Sequence, residues 1–269
     1  MQRNFEIIES FLTTGTVPSH PIYELIQQGC RQSLPEQIPI DILKRLYEET
    51  KKNLEPFKPL NEDLWIRIFG PTPIPDTVKV WLIVGAPKGC EAVVRLDADQ
   101  NRHLIIDLGQ ICAYSNLVSR LLDIVFDFLT HELAHVLIGQ KYRYSTKMPR
   151  EQFLKQLAFD EGIAHFLSFE EDVLDVDWNS AAMQKRKTKA FETFTYYLEH
   201  AKELTFQDLK RANTGAFWDK FASIAGMFAL VDYCQNDGNL ENLLFDGPKL
   251  LSEFIEPEPP TEFRSAGGM

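Results

Sequence analysis

Cysteine is scarce in this chain, with four residues among 269, at positions 30, 90, 112 and 234, and no C-x-x-C spacing. That argues against a disulfide scaffold and against a cysteine-bound metal; Cys112 and Cys234 lie in apolar stretches, where reduced, buried thiols are expected. Basic side chains are also in deficit, 28 against 39 acidic ones, for a net charge of −11. A general nucleic-acid surface is therefore not expected. Long uncharged apolar runs are missing too: Asp123 and Asp127 interrupt the most apolar segment, so nothing approaches the roughly eighteen residues a membrane helix needs. The opening MQRNFEIIESFLTTG carries acids inside its apolar pattern and no small-residue cleavage site, so it does not read as a leader peptide, and a cytoplasmic protein with no membrane association is expected. There are no repeats and no low-complexity segments.

What is present is a globular composition, 44% hydrophobic and 12% aromatic, sufficient for a substantial core in one large or two modest domains. Residues 2–56 read as helices (NFEIIESFL, PIYELIQQ and IDILKRLYEETKKNL) with apolar residues at i, i+3 and i+4. Prolines 56, 59, 71, 73 and 75 punctuate the end of this region. Three β-type runs follow, TVKVWLIV (77–84), AVVRL (92–96) and HLIIDL (103–108), separated by turn-forming residues. Helical patterns return over 116–138, 150–169, 181–204 and 215–235, with shorter ones in NLENLLF and PKLLSEFIE, and a flexible tail is expected over 257–269. The fold class expected is α+β and mainly helical, with an N-terminal helical region (1–56) and a main domain (57–256). The small residues Ala222, Ala225 and Gly226 would let a second helix approach closely.

One five-residue pattern dominates the chemistry. His131-Glu132-Leu133-Ala134-His135 is H-E-x-x-H, set in NLVSRLLDIVFDFLTHELAHVLI, a run with no Pro or Gly and with an apolar helical stripe. Gly139 stands where the helix is expected to end. On a helix the two histidines are four apart and share a face, so both imidazoles can reach one metal ion. Glu132 then projects beside the place of a metal-bound water. A catalytic zinc usually has three protein ligands and one open position. Glu161, twenty-six residues beyond His135 in REQFLKQLAFDEGIAHFLSF, is the candidate third, because a carboxylate in an apolar helix needs a cation or another partner. A structural salt bridge is the alternative reading of that residue.

T-H-E-L-A-H followed by D-E-G-I-A-H-F resembles the gluzincin metallopeptidases, and is particularly similar to small bacterial zinc-dependent peptidases of uncharacterised families. The likeness covers about residues 78–170. It implies a zincin-like core in which the small sheet packs on the H-E-x-x-H helix, one zinc ion held by His131, His135 and Glu161, and Glu132 as general base in the hydrolysis of peptide bonds in a peptide or protein substrate. It also implies that an edge strand can pair with an extended substrate, and His103–Leu108 is placed near that cleft. The chain departs from the pattern in its wider spacing, through an insertion at about Gln140–Arg150, and in having His165 where thermolysin-like members often carry Asp. Asp160, Asp127 or a backbone carbonyl must then accept from the ligand imidazoles.

His165 stays open between a fourth ligand, a hydrogen-bond donor to the substrate oxyanion, and packing. Enzymes of this kind add a Tyr or His donor for that oxyanion; His200 is the leading candidate, with Tyr196 one turn before it and Tyr197 and Tyr233 behind. The basic insertion (Lys141, Arg143, Lys147, Arg150) reads as a solvated loop, with a lid as the alternative. Asp76, Asp97, Asp99, Glu170, Glu171 and Asp172 read as turn and surface charges. Two rivals remain beside a peptidase: a non-catalytic binding or adaptor protein stabilised by zinc, and a metal hydrolase of a small non-peptide amide. Oligomeric state is not legible.

Overall fold

The computed structural model describes residues 1–26, 34, 38–71, 74–145, 147–169 and 172–255. Cys30, Pro73, Glu170, Glu171 and the expected flexible tail lie outside the described residues. Contacts divide the chain into two compact units, one holding Met1–Arg143 with Leu167–Val173, the other Tyr144–Phe166 with the chain from Leu174 onward. The protein is mainly helical with a small mixed sheet, an α+β fold.

The first unit contains β1 (Gln2–Asn4), α1 (Glu6–Thr14), α2 (Ile22–Ile26), α3 (Ile40–Asn53), α4 (Glu62–Phe69), β2 (Val78–Ile83), β3 (Ala92–Leu96), β4 (Arg102–Asp107), α5 (Leu108–Ile111) and α6 (Val118–Lys141). The sheet order is β1-β2-β4-β3, with β1, β2 and β4 parallel and β3 antiparallel to β4. Alternation along β2 and β4 sends Trp81, Ile83 and Ile105 to one face, where they pack with Ile7, Ile22, Tyr23 and Ile26 of α1 and α2. Val78, Val80, Leu82, Leu104 and Ile106 point the other way and are fully buried; β3, β4 and α3 contact α6. β2 and β4 are thus covered on both faces, as a run such as VKVWLI requires.

Three differences from the sequence reading have physical causes. β1 and α4 went unread: β1 is three residues long and its partner in β2 is Lys79–Trp81, too short and too distant a pairing to leave a period. β4 lies inside the sheet between β2 and β3, so it offers no edge to a substrate. The His103 ring is also engaged, Nδ1 accepting from Trp81 Nε1 at 2.9 Å and Nε2 lying 3.0 Å from Asp97 Oδ2. Finally, α6 does not stop at Gly139 but runs to Lys141, with the Tyr142 amide donating to the Ile138 carbonyl. Among the described residues no helix is long and apolar enough to cross a membrane. Of the cysteines, Cys112 is buried, while Cys90 and Cys234 are half-buried.

The second unit holds most of α7 (Arg150–Ser168), together with α8 (Ala181–Glu199), α9 (Phe206–Asn213), α10 (Phe221–Gln235), α11 (Leu243–Asp246) and α12 (Pro248–Ile255). α10 is buried along nearly its whole length and contacts α8, α9 and α12. α7 crosses α10 at a glycine pair. A Cβ on Gly226 would stand 1.7 Å from the Ala158 carbonyl oxygen, and one on Gly162 would stand 2.5 Å from the Gly226 backbone. Of the small residues of α10 that the sequence singled out, Gly226 thus stands where the helix backbones come together.

Two predictions follow from this packing. Asp107 is completely buried and accepts from the amides of Ala86 and Gln110 with its two oxygens. Burial pushes its carboxyl from 3.8 up to about 6, against the opposing pull of those amides. The folded chain therefore holds this proton more tightly than the unfolded one, and the associated stability is full below pH 4 and lost as pH rises through 6, by about 3 kcal/mol. In urea titrations the advantage of the wild type over Asp107→Asn should shrink by that order between pH 4 and pH 7; a constant or growing advantage contradicts the assignment. Separately, Gly139 is inside α6 and a Cβ there meets nothing within 4 Å. Gly139→Ala should stabilise the chain by about 0.5–1 kcal/mol in the same assay, whereas destabilisation would show that the helix ends earlier.

Candidate metal centre

α6 forms because Leu121, Val125, Leu129, Leu133 and Val136 make a buried stripe at helical spacing. His131 and His135 sit half-buried beside that stripe. Their Nε2 atoms lie 3.0 Å apart, with the rings nearly perpendicular at 85°. The other nitrogen of His131, Nδ1, is 3.4 Å from Ser168 Oγ, on the last residue of α7. Ser168 thus stands at the outer nitrogen of that ring.

A single loop ties the middle of α6 to the end of α7. The Leu60 amide donates to Thr130 Oγ1 at 3.0 Å, next to His131 and fully buried. Asn61 Nδ2 donates to the Leu167 carbonyl at 3.1 Å, and Asn61 Oδ1 accepts from the Val173 amide at 2.9 Å. Asn61 does this from a left-handed conformation, φ 53 and ψ 47, which Asn tolerates better than most side chains.

Glu161 is held on α7 with its side chain only 13% exposed. Its Oε1 accepts from Asn213 Nδ2 at 3.2 Å and its Oε2 from Ser223 Oγ at 3.4 Å. His165, one turn on, is buried and stacked on Phe217 at 5.2 Å, with Nδ1 3.7 Å from Glu161 Oε2. Asp160 accepts from the Tyr144 hydroxyl at 3.2 Å. Tyr144 is 42% exposed overall, yet burial of its hydroxyl end, then Asp160 and Glu161, drive the phenol far above its ordinary range.

Ligand atoms of His131, His135 and Glu161 all lie within 4.8 Å of one another, and this is the one such group of His, Cys, Asp and Glu found among the described residues. The donor set suits zinc. Two nitrogens bound at about 2.0–2.1 Å to one tetrahedral ion stand roughly 3.3 Å apart, close to the 3.0 Å between the imidazoles. His165 is not in the group, so three side chains converge, which is the count of an open site.

The remaining expected residues are placed as follows. Glu132 is half-buried beside His131, and Asp127 is half-buried one turn earlier on α6. His200 is the exposed C-terminal cap of α8, with Nδ1 2.8 Å from the Tyr196 carbonyl and its ring stacked on Tyr196 at 4.4 Å. Glu132, Asp127 and His200 do not belong to the converging group. Sequence reasoning missed Asn61, Tyr144, Ser168, Asn213 and Ser223. Only the capping box that opens α9, Thr205 with Asp208, was a legible signal, since T-x-x-D before a helix marks the element that ends on Asn213.

Compared with models of known protein families, with curated proteins and with solved structures, the chain matches none.

The loop clamp gives a direct test. Asn61→Gly keeps the left-handed backbone but loses both long-range bonds, costing about 1–2 kcal/mol, and Asn61→Ala adds roughly another 1 kcal/mol of backbone strain. Denaturation midpoints should rank wild type, Gly, Ala; an alanine variant as stable as the glycine one contradicts the account.

Proposed function

We propose that the chain is a zinc-dependent hydrolase of peptide bonds with a zincin-like core, of the gluzincin kind that its two motifs resemble. One observation carries this reading: H-E-x-x-H lies on one helix, and its two imidazoles converge with the carboxylate of Glu161 to within 4.8 Å. His131, His135 and Glu161 would hold the ion. Zinc bound by three side chains lowers the pKa of a bound water to about 7 and polarises a carbonyl.

Glu132 is the group that moves the proton. It follows His131 in the helix and is half-buried, so its carboxylate takes the proton of the attacking water and returns it to the leaving amine. Ser168 steadies His131 from its outer nitrogen, which fixes ring orientation. β3, one of the two terminal strands of the sheet, contacts α6, and a strand in that position suits backbone pairing with an extended peptide. The peptide or protein substrate would then be read mainly through its main chain.

The zinc-stabilised binding protein and the small-amide hydrolase give different results in one experiment. Glu132→Gln should retain one zinc per chain while kcat on a peptide mixture falls by about 10²–10⁴-fold. Equal turnover by Glu132→Gln, or by chelator-treated protein, overturns the reading. Cleavage of small amides but not peptides transfers it to the second rival.

A further inference from the structure

Two neutral side-chain donors from different helices meet on Glu161. Asn213 ends α9 and Ser223 lies in the first turn of α10, and each addresses a different oxygen of the same carboxylate. Ser223 is fully buried, so its hydroxyl sits among apolar side chains where an unmatched polar group would be costly. The approach is set by backbone packing, because the Gly162–Gly226 crossing presses α10 against α7 directly beside Glu161. Any residue larger than glycine at either position would move Ser223 away from the carboxylate.

From this geometry we infer that Asn213 and Ser223 are positioning residues that fix the Glu161 carboxylate for single-oxygen coordination and so set the affinity and selectivity of the metal centre. The inference rests on the metal-centre reading above. With one lone pair of each oxygen already committed to a neutral donor, the carboxylate is held against rotation about its terminal bond. A carboxylate held in this way offers one oxygen to a small four-coordinate ion, whereas a free one turns to grip a larger cation with both oxygens. Neutral donors also leave the negative charge of Glu161 available to the ion, where a lysine or arginine would compete for it. Loss of such outer contacts typically weakens a metal site by about 10–100-fold.

The test is competition of zinc between a chromophoric chelator and the full-length protein, for wild type, Asn213→Leu, Ser223→Ala and Ser223→Thr, with calcium binding measured in parallel. Asn213 is half-buried at a helix end, so its replacement leaves the fold intact even where a change at Ser223 does not, and circular dichroism with apo-protein melting checks this. The expected result is one zinc per wild-type chain, an affinity about 10–100-fold lower in Asn213→Leu and Ser223→Ala with unchanged apo melting, near-wild-type affinity in Ser223→Thr, and a narrower zinc-over-calcium preference in the first two. Tight zinc binding by the wild type that is undiminished in Asn213→Leu overturns the inference and leaves the metal centre standing. Absence of stoichiometric zinc from the wild type overturns the metal centre itself.

Discussion

A carboxylate inside an apolar helix pair is the constraint around which this structure is arranged. Glu161 is nearly buried, and an unpaired charge in such a place costs several kcal/mol. Its compensation comes from named neighbours, with Asn213 and Ser223 on its two oxygens and two imidazoles of α6 within reach of the same point. The glycine crossing of α7 and α10 is the geometric precondition. Only when helix backbones touch can a side chain as short as serine reach across to the carboxylate.

The imidazole side of the group is secured by different means. α6 is a straight consequence of its apolar stripe, and the spacing of four puts both rings on one face. What the stripe does not supply is the position of its neighbour, and here a two-residue loop does the work. Leu60 binds the residue before His131, and Asn61 binds the end of α7, so the ring of His131 meets Ser168. A short loop with a polar residue in a left-handed turn thus relates the middle of α6 to the end of α7, which lies more than a hundred residues from Asn61 in sequence, at the cost of some backbone strain.

Periodicity carried a large part of this organisation into the sequence. α3, α6, α7, β2, β3 and β4 were legible within a few residues, because each has an apolar stripe or a β-branched run long enough to show its period. The converging group of His131, His135 and Glu161 was legible for a related reason: H-E-x-x-H encodes its own geometry once the helix is granted, and a lone acid in an apolar helix calls for a cation or another partner. Features held by single long-range contacts were not. β1 has three residues and α9 is short and polar, and Asn61, Ser168, Asn213 and Ser223 are ordinary polar residues until the fold brings them to a helix end or a carboxylate. Gly139 misled because glycine marks a helix terminus on average, while here the helix tolerates it and continues through Lys141. Asp107, similarly, is one acid among 39 acidic residues, and nothing local distinguishes it as the one buried under two backbone amides.

The central claim is that one metal ion is shared by two nitrogens from α6 and one oxygen from α7. X-ray absorption at the zinc edge of the purified protein tests it most directly. The account predicts one zinc per chain with a shell of nitrogen and oxygen only, two imidazoles among the scatterers, and loss of one light-atom ligand in Glu161→Ala. A sulfur-containing shell, or a protein that takes up no stoichiometric zinc while folded, would contradict it.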